Sequence, residues 1–272
     1  MGESEIKELV VEILNRIREK KPLIHHITNQ VVMNGTANAT LALGASPIMA
    51  HAHQEMEALA DICDALVLNI GTLTPYTLES MILAGRRMSG RGKPVILDPV
   101  GAGATSFRTE AVQKLLAEVR PVLLRGNASE IKSLSLESGN ARIRGVDALE
   151  QVEAVHESAR RLASGNGMVV AVTGAIDFIT DGRVSFQVAN GHPMFSMVTG
   201  TGCMATTACA CFLAVSDEPL TAVTAALAYY GLAGQEAAKK CGGPGSFQVA
   251  LFDALAGMEE KTVSEKLLIE KG

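Results

Sequence analysis

The stretch KPVILDPVG at residues 93–101 decides the fold, because it joins a short apolar run to Asp98 and to a turn that ends at Gly101. A continuous apolar run bounded by turn residues is typical of a fully buried β-strand. Further stretches of the same form are DALVLNIG at 64–71, RPVLLRGN at 120–127 and GMVVAVTG at 167–174. We therefore predict buried strands at these places, each ending in a polar turn.

Helix-like segments accompany these strands at residues 52–63, 74–88, 108–118 and 147–164. Strands that alternate with helices predict an α/β fold with a mainly parallel central sheet flanked by helices. The alternating stretch DFITDGRVSFQV predicts a hairpin that turns at Asp181 and Gly182.

The last third of the chain, from Thr201 to Lys266, has a helical pattern that is interrupted at Pro219 and at residues 241–246. No linker, internal repeat or low-complexity tract divides the sequence. We therefore expect residues 1–272 to form a single domain.

Composition excludes several classes of partner. The chain has 272 residues, a formal net charge of −5 and no basic patch, which argues against nucleic acid. Its five cysteines have no metal-ligand spacing, and their odd number argues against a disulfide framework. The N-terminal segment is charged and amphipathic, and the apolar run from Met204 to Val215 is too short to span a bilayer. We expect a cytoplasmic protein with free thiols and no membrane partner.

Each predicted strand ends in residues suited to ligand binding. Asn69, Asp98, Arg125, Asn127 and Thr173 stand at or near the carboxyl ends of the strands. In open α/β sheets, ligands bind in the crevice at that edge. Such residues are common in turns when taken singly, so the prediction of a polar active site depends on their joint placement.

The stretch VTGTGC at residues 198–203 raises the question of what Cys203 does. Glycines before a run of small residues predict a loop that opens into a helix. The amides at such a helix start attract anions, and they lower the pKa of a nearby thiol. A free cysteine is nevertheless most often a small buried hydrophobe. From these residues alone, Cys203 is a core residue, a nucleophile, or a group beside a bound anion.

Phosphate handling would depend on VTGTGC, because the sequence has neither a P-loop nor a dinucleotide-binding glycine motif. Asp98 and Glu130 are the candidate ligands of Mg²⁺, and Arg125 could stabilise charge on a transferred group. Taken alone, Glu130 equally fits a first-turn carboxylate favoured by the helix dipole.

Three classes of function remain open on these residues. The first is an ATP-dependent kinase of a small alcohol, with Cys203 near the accepting hydroxyl. The second is a thiol enzyme with Cys203 as nucleophile, which would need a histidine base that no spacing identifies. The third is a binding module without chemistry, which leaves Asp98, Glu130 and Arg125 unexplained.

Several blocks, taken together and in order, resemble the hydroxyethylthiazole kinase family over about residues 10–258. The blocks are PLIHHITNQVVMNGTANATLALGASPIMA (22–50), LNIGTL (68–73), PVILDPVGAGAT (94–105), LLRGNASEI (123–131), VVAVTGAIDFITDG (169–182) and VTGTGCMATT (198–207). The resemblance implies a ribokinase-like fold. It also implies phosphorylation of the hydroxyl of 4-methyl-5-(2-hydroxyethyl)thiazole, with ATP and Mg²⁺, for thiamine synthesis or salvage.

The resemblance also implies roles for individual residues. Cys203 would lie at the accepting hydroxyl, where many relatives in the wider superfamily have aspartate, and would take or guide its proton. The residues implied to contact the thiazole are Asn29, Val31, Met49, Gly71 and Gly200. Those assigned to the nucleotide are Arg125 and Thr173 with their neighbours Asn127 and Gly174, and those assigned to Mg²⁺ are Asp98 and Glu130. The alternative is a kinase of another small ring alcohol, of the hydroxymethylpyrimidine or pyridoxal type.

A homotrimer with active sites between chains is a further implication of the resemblance. Residues 27–50 give a partial reason, since they include no Asp, Glu, Lys or Arg and so resemble the core of an interface. Composition alone fits burial inside one subunit at least as well. If the sites are shared, Met49 and Asn29 are expected to face the Cys203 of a neighbouring chain.

Overall fold

The computed structural model describes residues 3–135 and 148–272. Its strands are β1 Leu23–Ile27, β2 Ser46–Met49, β3 Ala65–Asn69, β4 Val95–Asp98, β5 Leu123–Asn127, β6 Val169–Thr173, β7 Asp177–Thr180, β8 Ser185–Val188 and β9 Ile269–Lys271. Within the described ranges they form a nine-stranded sheet in the order β2-β1-β3-β4-β5-β6-β7-β8-β9. The pairs from β2 to β6 are parallel, and those from β6 to β9 are antiparallel. The predicted mainly parallel sheet is confirmed.

Helices cover both faces of this sheet. They are α1 Glu3–Lys20, α2 Met33–Leu43, α3 Met56–Ile62, α4 Pro75–Gly90, α5 Ser106–Val119, α6 Ala128–Ser135, α7 Ala148–Asn166, α8 Thr201–Leu213, α9 Pro219–Ala238, α10 Pro244–Gly257 and α11 Glu260–Lys266. Short 3-10 helices lie at His53–Glu55 and Pro193–Met197. The predicted helical segments are found with small shifts of their ends, and residue 147 lies outside the described residues. None of these helices has the length and apolar character needed to cross a membrane, within the ranges described.

Alternating side chains of the central strands feed two separate clusters of buried residues. In β3, Val67 packs into one cluster, while Leu66 and Leu68 pack into the other. The first cluster draws on α1, α8, α9 and α10, and the second on α3, α4, α5 and α7. Both faces of the central strands are therefore buried, which explains why these strands have continuous apolar runs.

The register of the parallel strands brings their polar ends to one edge. Asn69, the last residue of β3, is the register partner of Asp98, the last residue of β4. In the same way, Asn127 of β5 pairs with Thr173 of β6. The crevice predicted at the carboxyl edge is therefore built by strand register.

The predicted hairpin is present as β7 and β8, but its turn is longer than expected. Thr180 pairs with Ser185, so the turn comprises residues 181–184 instead of Asp181 and Gly182 alone. The carboxylate of Asp181 accepts hydrogen bonds from the amides of Arg183, at 2.8 Å, and Val184, at 2.7 Å. These side-chain bonds stabilise the wider turn.

Candidate active site

Helix α8 begins where the sequence predicted a glycine-to-helix junction. Gly200 caps the helix with φ +82°, and a Cβ atom there would lie 2.7 Å from Cγ1 of Val32. Only glycine suits both the conformation and the space. The amide of Met204 donates the first intrahelical bond, to the carbonyl of Gly200, at 2.9 Å. The amides that precede it have no partner one turn back, so they are available to an anion.

Cys203 lies in this first turn, against two amide side chains. Its Sγ accepts hydrogen bonds from Nδ2 of Asn69 at 3.2 Å and from Nδ2 of Asn29 at 3.7 Å. Burial raises the pKa of the Cys203 thiol to about 12, and the charge of Asp98 adds to the rise, while the two amides oppose it. The lowering of the thiol pKa anticipated for a helix start is therefore outweighed by burial, and the thiol is protonated at neutral pH.

Asp98 is fully buried at the end of β4. Its Oδ2 accepts hydrogen bonds from Thr206 at 2.8 Å and Asn69 at 3.0 Å, and it lies 3.9 Å from Nη1 of Arg125. Its Oδ1 is buried and has no hydrogen-bond partner. Burial raises the pKa of Asp98 to about 6, with Arg125 opposing the rise. One carboxylate oxygen is thus left for a ligand.

Glu130 joins two loops of the site. Its Oε1 accepts a hydrogen bond from the amide of Gly101 at 2.9 Å, and its Oε2 accepts one from the amide of Asn127 at 2.8 Å. The side chain of Asn127 accepts a bond from the amide of Glu130 at 2.9 Å, which makes the contact reciprocal at the start of α6. Glu130 therefore has the helix-start role weighed from the sequence, and its carboxylate keeps further acceptor capacity.

The predicted nucleotide residues line one cavity of about 780 Å³. Arg125 donates a hydrogen bond to the hydroxyl of Thr173. A Cβ atom at Gly202 would lie 3.0 Å from Nη1 of Arg125, so the guanidinium packs against the backbone of α8. Asn127 and Gly174 line the same cavity.

The same cavity has lining residues that the sequence prediction missed, namely Asp177, His192, Phe195 and Tyr230. Phe195 and Tyr230 stack with their ring centroids 5.0 Å apart. Burial raises the pKa of Asp177 to about 6, while the amide of Gly174 and Arg125 oppose the rise. Asp177 is the first residue of the stretch DFITDG, but it reaches the cavity only because the chain bends between β6 and β7.

The residues predicted to contact the thiazole are only partly brought together. Asn29 lies beside Cys203, and a Cβ atom at Gly71 would lie 2.6 Å from Nδ2 of Asn29. Val31 is 65% exposed, and Met49 is half-buried in the edge strand β2. Because Asn29 contacts Cys203 of its own chain, the expectation that it faces the Cys203 of a neighbour is wrong.

Comparison with known proteins bears on this site as a whole. The model of the hydroxyethylthiazole kinase family matches residues 14–261. The hydroxyethylthiazole kinase of Desulfosudis oleivorans is 54% identical over 271 residues, which cover 100% of this chain and 99% of the relative. That of Moorella thermoacetica is 52% identical over 248 residues, which cover 91% and 92% respectively.

Solved structures agree with the sequence comparisons. The structure of the hydroxyethylthiazole kinase protein from Pyrococcus horikoshii OT3 has a TM-score of 0.89 and 42% identity, over 97% of this chain and 99% of that one. Pyridoxal kinase from Staphylococcus aureus, in complex with AMP-PCP and pyridoxal, has a TM-score of 0.56 and 15% identity, over 76% of this chain and 86% of that one. The second likeness is one of fold alone.

Proposed function

This chain belongs to the hydroxyethylthiazole kinase family, and on that premise we propose that its crevice transfers a phosphoryl group from ATP to the hydroxyl of 4-methyl-5-(2-hydroxyethyl)thiazole. The chain is a kinase with an alcohol acceptor, and its fold is ribokinase-like. One observation carries the proposal: Arg125 packs against Gly202, and Cys203 follows directly. The guanidinium of Arg125 and the thiol of Cys203 thus both lie at the start of α8.

ATP would occupy the cavity of about 780 Å³ with its triphosphate at the Arg125 end. A guanidinium and unpaired helix-start amides suit phosphate oxygens. The stacked rings of Phe195 and Tyr230 line the same cavity, and both are tied to the start of α8: the Tyr230 hydroxyl donates to the carbonyl of Thr201, and the Thr201 hydroxyl donates to the carbonyl of Phe195, each at 2.8 Å.

Mg²⁺ belongs to the proposal, and Asp98 and Glu130 would hold it. Asp98 has a buried Oδ1 without a partner, and carboxylate oxygens suit this ion. The described residues contain no group of three or more His, Cys, Asp or Glu side chains placed to hold a metal. This fits an ion that keeps several waters and shares phosphate oxygens. When bound, the ion would neutralise negative charge on the phosphates.

The chain's own residues would contribute positioning and charge. The amides at the start of α8 would receive the transferred phosphoryl oxygens, and Arg125 would stabilise their charge. Cys203 would orient the acceptor hydroxyl. Because burial holds the pKa of its thiol near 12, Cys203 acts as a hydrogen-bonding group in this proposal and not as a thiolate base.

The test is ADP release with purified protein, ATP and a panel of alcohols: the thiazole, a hydroxymethylpyrimidine, pyridoxal and a sugar. We expect the thiazole to have the highest kcat/KM. Preference for one of the other rings would favour the alternative acceptor, and turnover of the sugar alone would overturn the proposal.

Three further properties are part of the proposal. We propose a homotrimer in which the edge strand β2, with Met49, forms part of a neighbour's site. The uncharged segment 27–50 and the exposed Val31 and Leu41 support it.

We propose a single domain, since one sheet takes strands from residues 23 to 271. The free cysteines support a cytoplasmic location.

A further inference from the structure

Asn69 is buried between Asp98 and Cys203, and every donor and acceptor of its side-chain amide has a hydrogen-bond partner. Its Oδ1 accepts hydrogen bonds from Nδ2 of Asn29 at 2.8 Å and from the amide of Gly71 at 3.0 Å. Its Nδ2 donates to Oδ2 of Asp98 at 3.0 Å and to Sγ of Cys203 at 3.2 Å. A primary amide has two N–H donors and one oxygen with two lone pairs, so no hydrogen-bonding capacity is left over.

The orientation of this amide is fixed by its partners. The backbone N–H of Gly71 can only donate, so the atom that faces it must be the oxygen of Asn69. The NH₂ group then faces Asp98 and Cys203. The last residue of β3 is thus held in one orientation by its own loop and by the neighbouring strand.

This orientation determines how Cys203 presents its sulphur. Sγ accepts a bond from Asn69 and a longer one from Asn29, so the S–H hydrogen cannot point at either amide. It is left for another acceptor in the space beside Cys203, which is half-buried. We propose that Asn69 is a positioning residue, which turns the S–H of Cys203 toward the acceptor alcohol and ties the thiol to Asp98. This inference rests on the proposed function, because it needs an alcohol in that space.

A double-mutant cycle separates this role from a structural one. Asn69→Asp keeps the size and the acceptor oxygen but removes both donated bonds, and Asn69→Ala removes them without adding charge. We expect either change to lower kcat about tenfold, with the thiazole KM within about threefold. In a Cys203→Ala background, the same changes should lower kcat by a smaller factor than in the wild type, because the partner Cys203 is absent while the bond to Asp98 is lost in both backgrounds.

The matched control is Asn166→Asp, at an exposed residue whose Nδ2 donates to the carbonyl of Leu162 at 2.9 Å. It should leave kcat unchanged. Thermal unfolding of each variant shows whether the fold is kept, and the two Asn69 variants provide independent versions of the cycle. If the losses at Asn69 and Cys203 multiply, or appear only in KM, the proposal is overturned.

Failure of the proposed function is a separate outcome. If the wild-type protein prefers another alcohol, the cycle is run with that alcohol and decides the role of Asn69 in the same way. If no alcohol is phosphorylated, the rate of alkylation of Cys203 by iodoacetamide decides instead, in a Cys241→Ser background. Asn69→Asp should slow it at least about threefold, by removing a donor and adding a carboxylate beside the sulphur. An unchanged rate overturns the proposal.

Discussion

At the scale of single residues, Cys203 is subject to opposing effects on one thiol. It lies at a helix start, which favours a thiolate, and in a buried pocket beside Asp98, which disfavours one. The balance gives a pKa of about 12. A thiol with that pKa can position a hydroxyl but has little capacity to take its proton at neutral pH.

We expect Cys203→Ala to lower kcat by about 10- to 100-fold, with little change in the thiazole KM. Removal of a true general base would cost about 10²–10⁴-fold. Cys203→Ser should retain more activity because its hydroxyl can donate a hydrogen bond in the same place. Steady-state kinetics decide between the two roles, with Cys241→Ala, at another half-buried cysteine, as the control. A loss above about 10²-fold would identify a base.

Asp177 predicts a pH dependence of stability. Its native pKa is raised from 3.8 to about 6, so between these values the folded state binds a proton that the unfolded chain does not. Lowering the pH from about 7 to 5 should therefore raise this residue's contribution to the free energy of unfolding.

Asp177→Asn removes that proton uptake and keeps an acceptor for the amide of Gly174. We expect the variant to be more stable than the wild type by roughly 1–2 kcal/mol at pH 7.5, with the difference vanishing near pH 4. Urea unfolding at several pH values measures it. Parallel curves for Asp177→Asn and the wild type would contradict the assignment.

At the scale of elements, α5 fastens two loops of the site through Arg108. Its guanidinium donates hydrogen bonds to the carbonyls of Gly71, at 2.6 Å, and Ile70, at 3.1 Å, in the loop after β3. It also donates to the carbonyl of Val100 in the loop after β4. The guanidinium of Arg108 therefore sets the distance between the loop after β3, which carries the proposed thiazole contact Gly71, and the loop after β4, which Glu130 also bonds.

Arg108→Ala should lower the free energy of unfolding by about 2 kcal/mol, since it removes charge-assisted bonds to several carbonyls. Arg108→Lys should recover part of the loss, because an ammonium cannot reproduce the planar fork. The matched control is Arg86→Ala, which removes an exposed ion pair with Glu118 and should cost less than about 1 kcal/mol. Equal urea midpoints for Arg108→Ala and Arg86→Ala would contradict the proposal that Arg108 fastens the two loops.

The elements that sequence reasoning found are those whose pattern is local. Buried central strands such as β4 have uninterrupted apolar runs, so they were predictable. Strand β1 was not, because its run LIHHI contains two histidines, and both are buried. The edge strand β2 contains Pro47, which an edge tolerates but which masks the strand pattern.

The residues of the candidate site also differ in whether a local sequence pattern reveals them. Asp98, Arg125 and Thr173 were predictable because strand ends meet at one edge. Phe195 and Tyr230 were not, because they reach the cavity from a 3-10 helix and from α9, whose position relative to the sheet has no local signal. The four bonds of Asn69 also depend on register and orientation, which residue type alone does not give.

At the scale of the whole molecule, the proposed trimer makes a prediction that can be tested by mixing. Strand β2 lies at the edge of the sheet with half-buried residues, and it carries Met49. Asn29 already contacts Cys203 of its own chain. Met49 is therefore the residue by which a neighbour would contribute to the site.

Mixing Cys203→Ala with Met49→Arg subunits, after dissociation and reassembly, should give more activity than the average of the two parents. Some mixed interfaces then pair two unmutated halves. Reassembly of each variant alone is the control and should give no gain. No recovery, with mixed oligomers verified by mass, would mean that each chain owns its whole site.

The far edge of the sheet has a consequence for the wall of the proposed ATP cavity. Strand β9 pairs with β8, and the amide of Leu268 donates to Oδ1 of Asn190, 78 positions earlier, at 2.7 Å. Nδ2 of Asn190 in turn donates to the carbonyl of Lys266 at 3.0 Å, and Asn190 lines the proposed ATP cavity. A variant that lacks residues 266–272 would therefore lose the support of this wall, and its affinity for the nucleotide should fall.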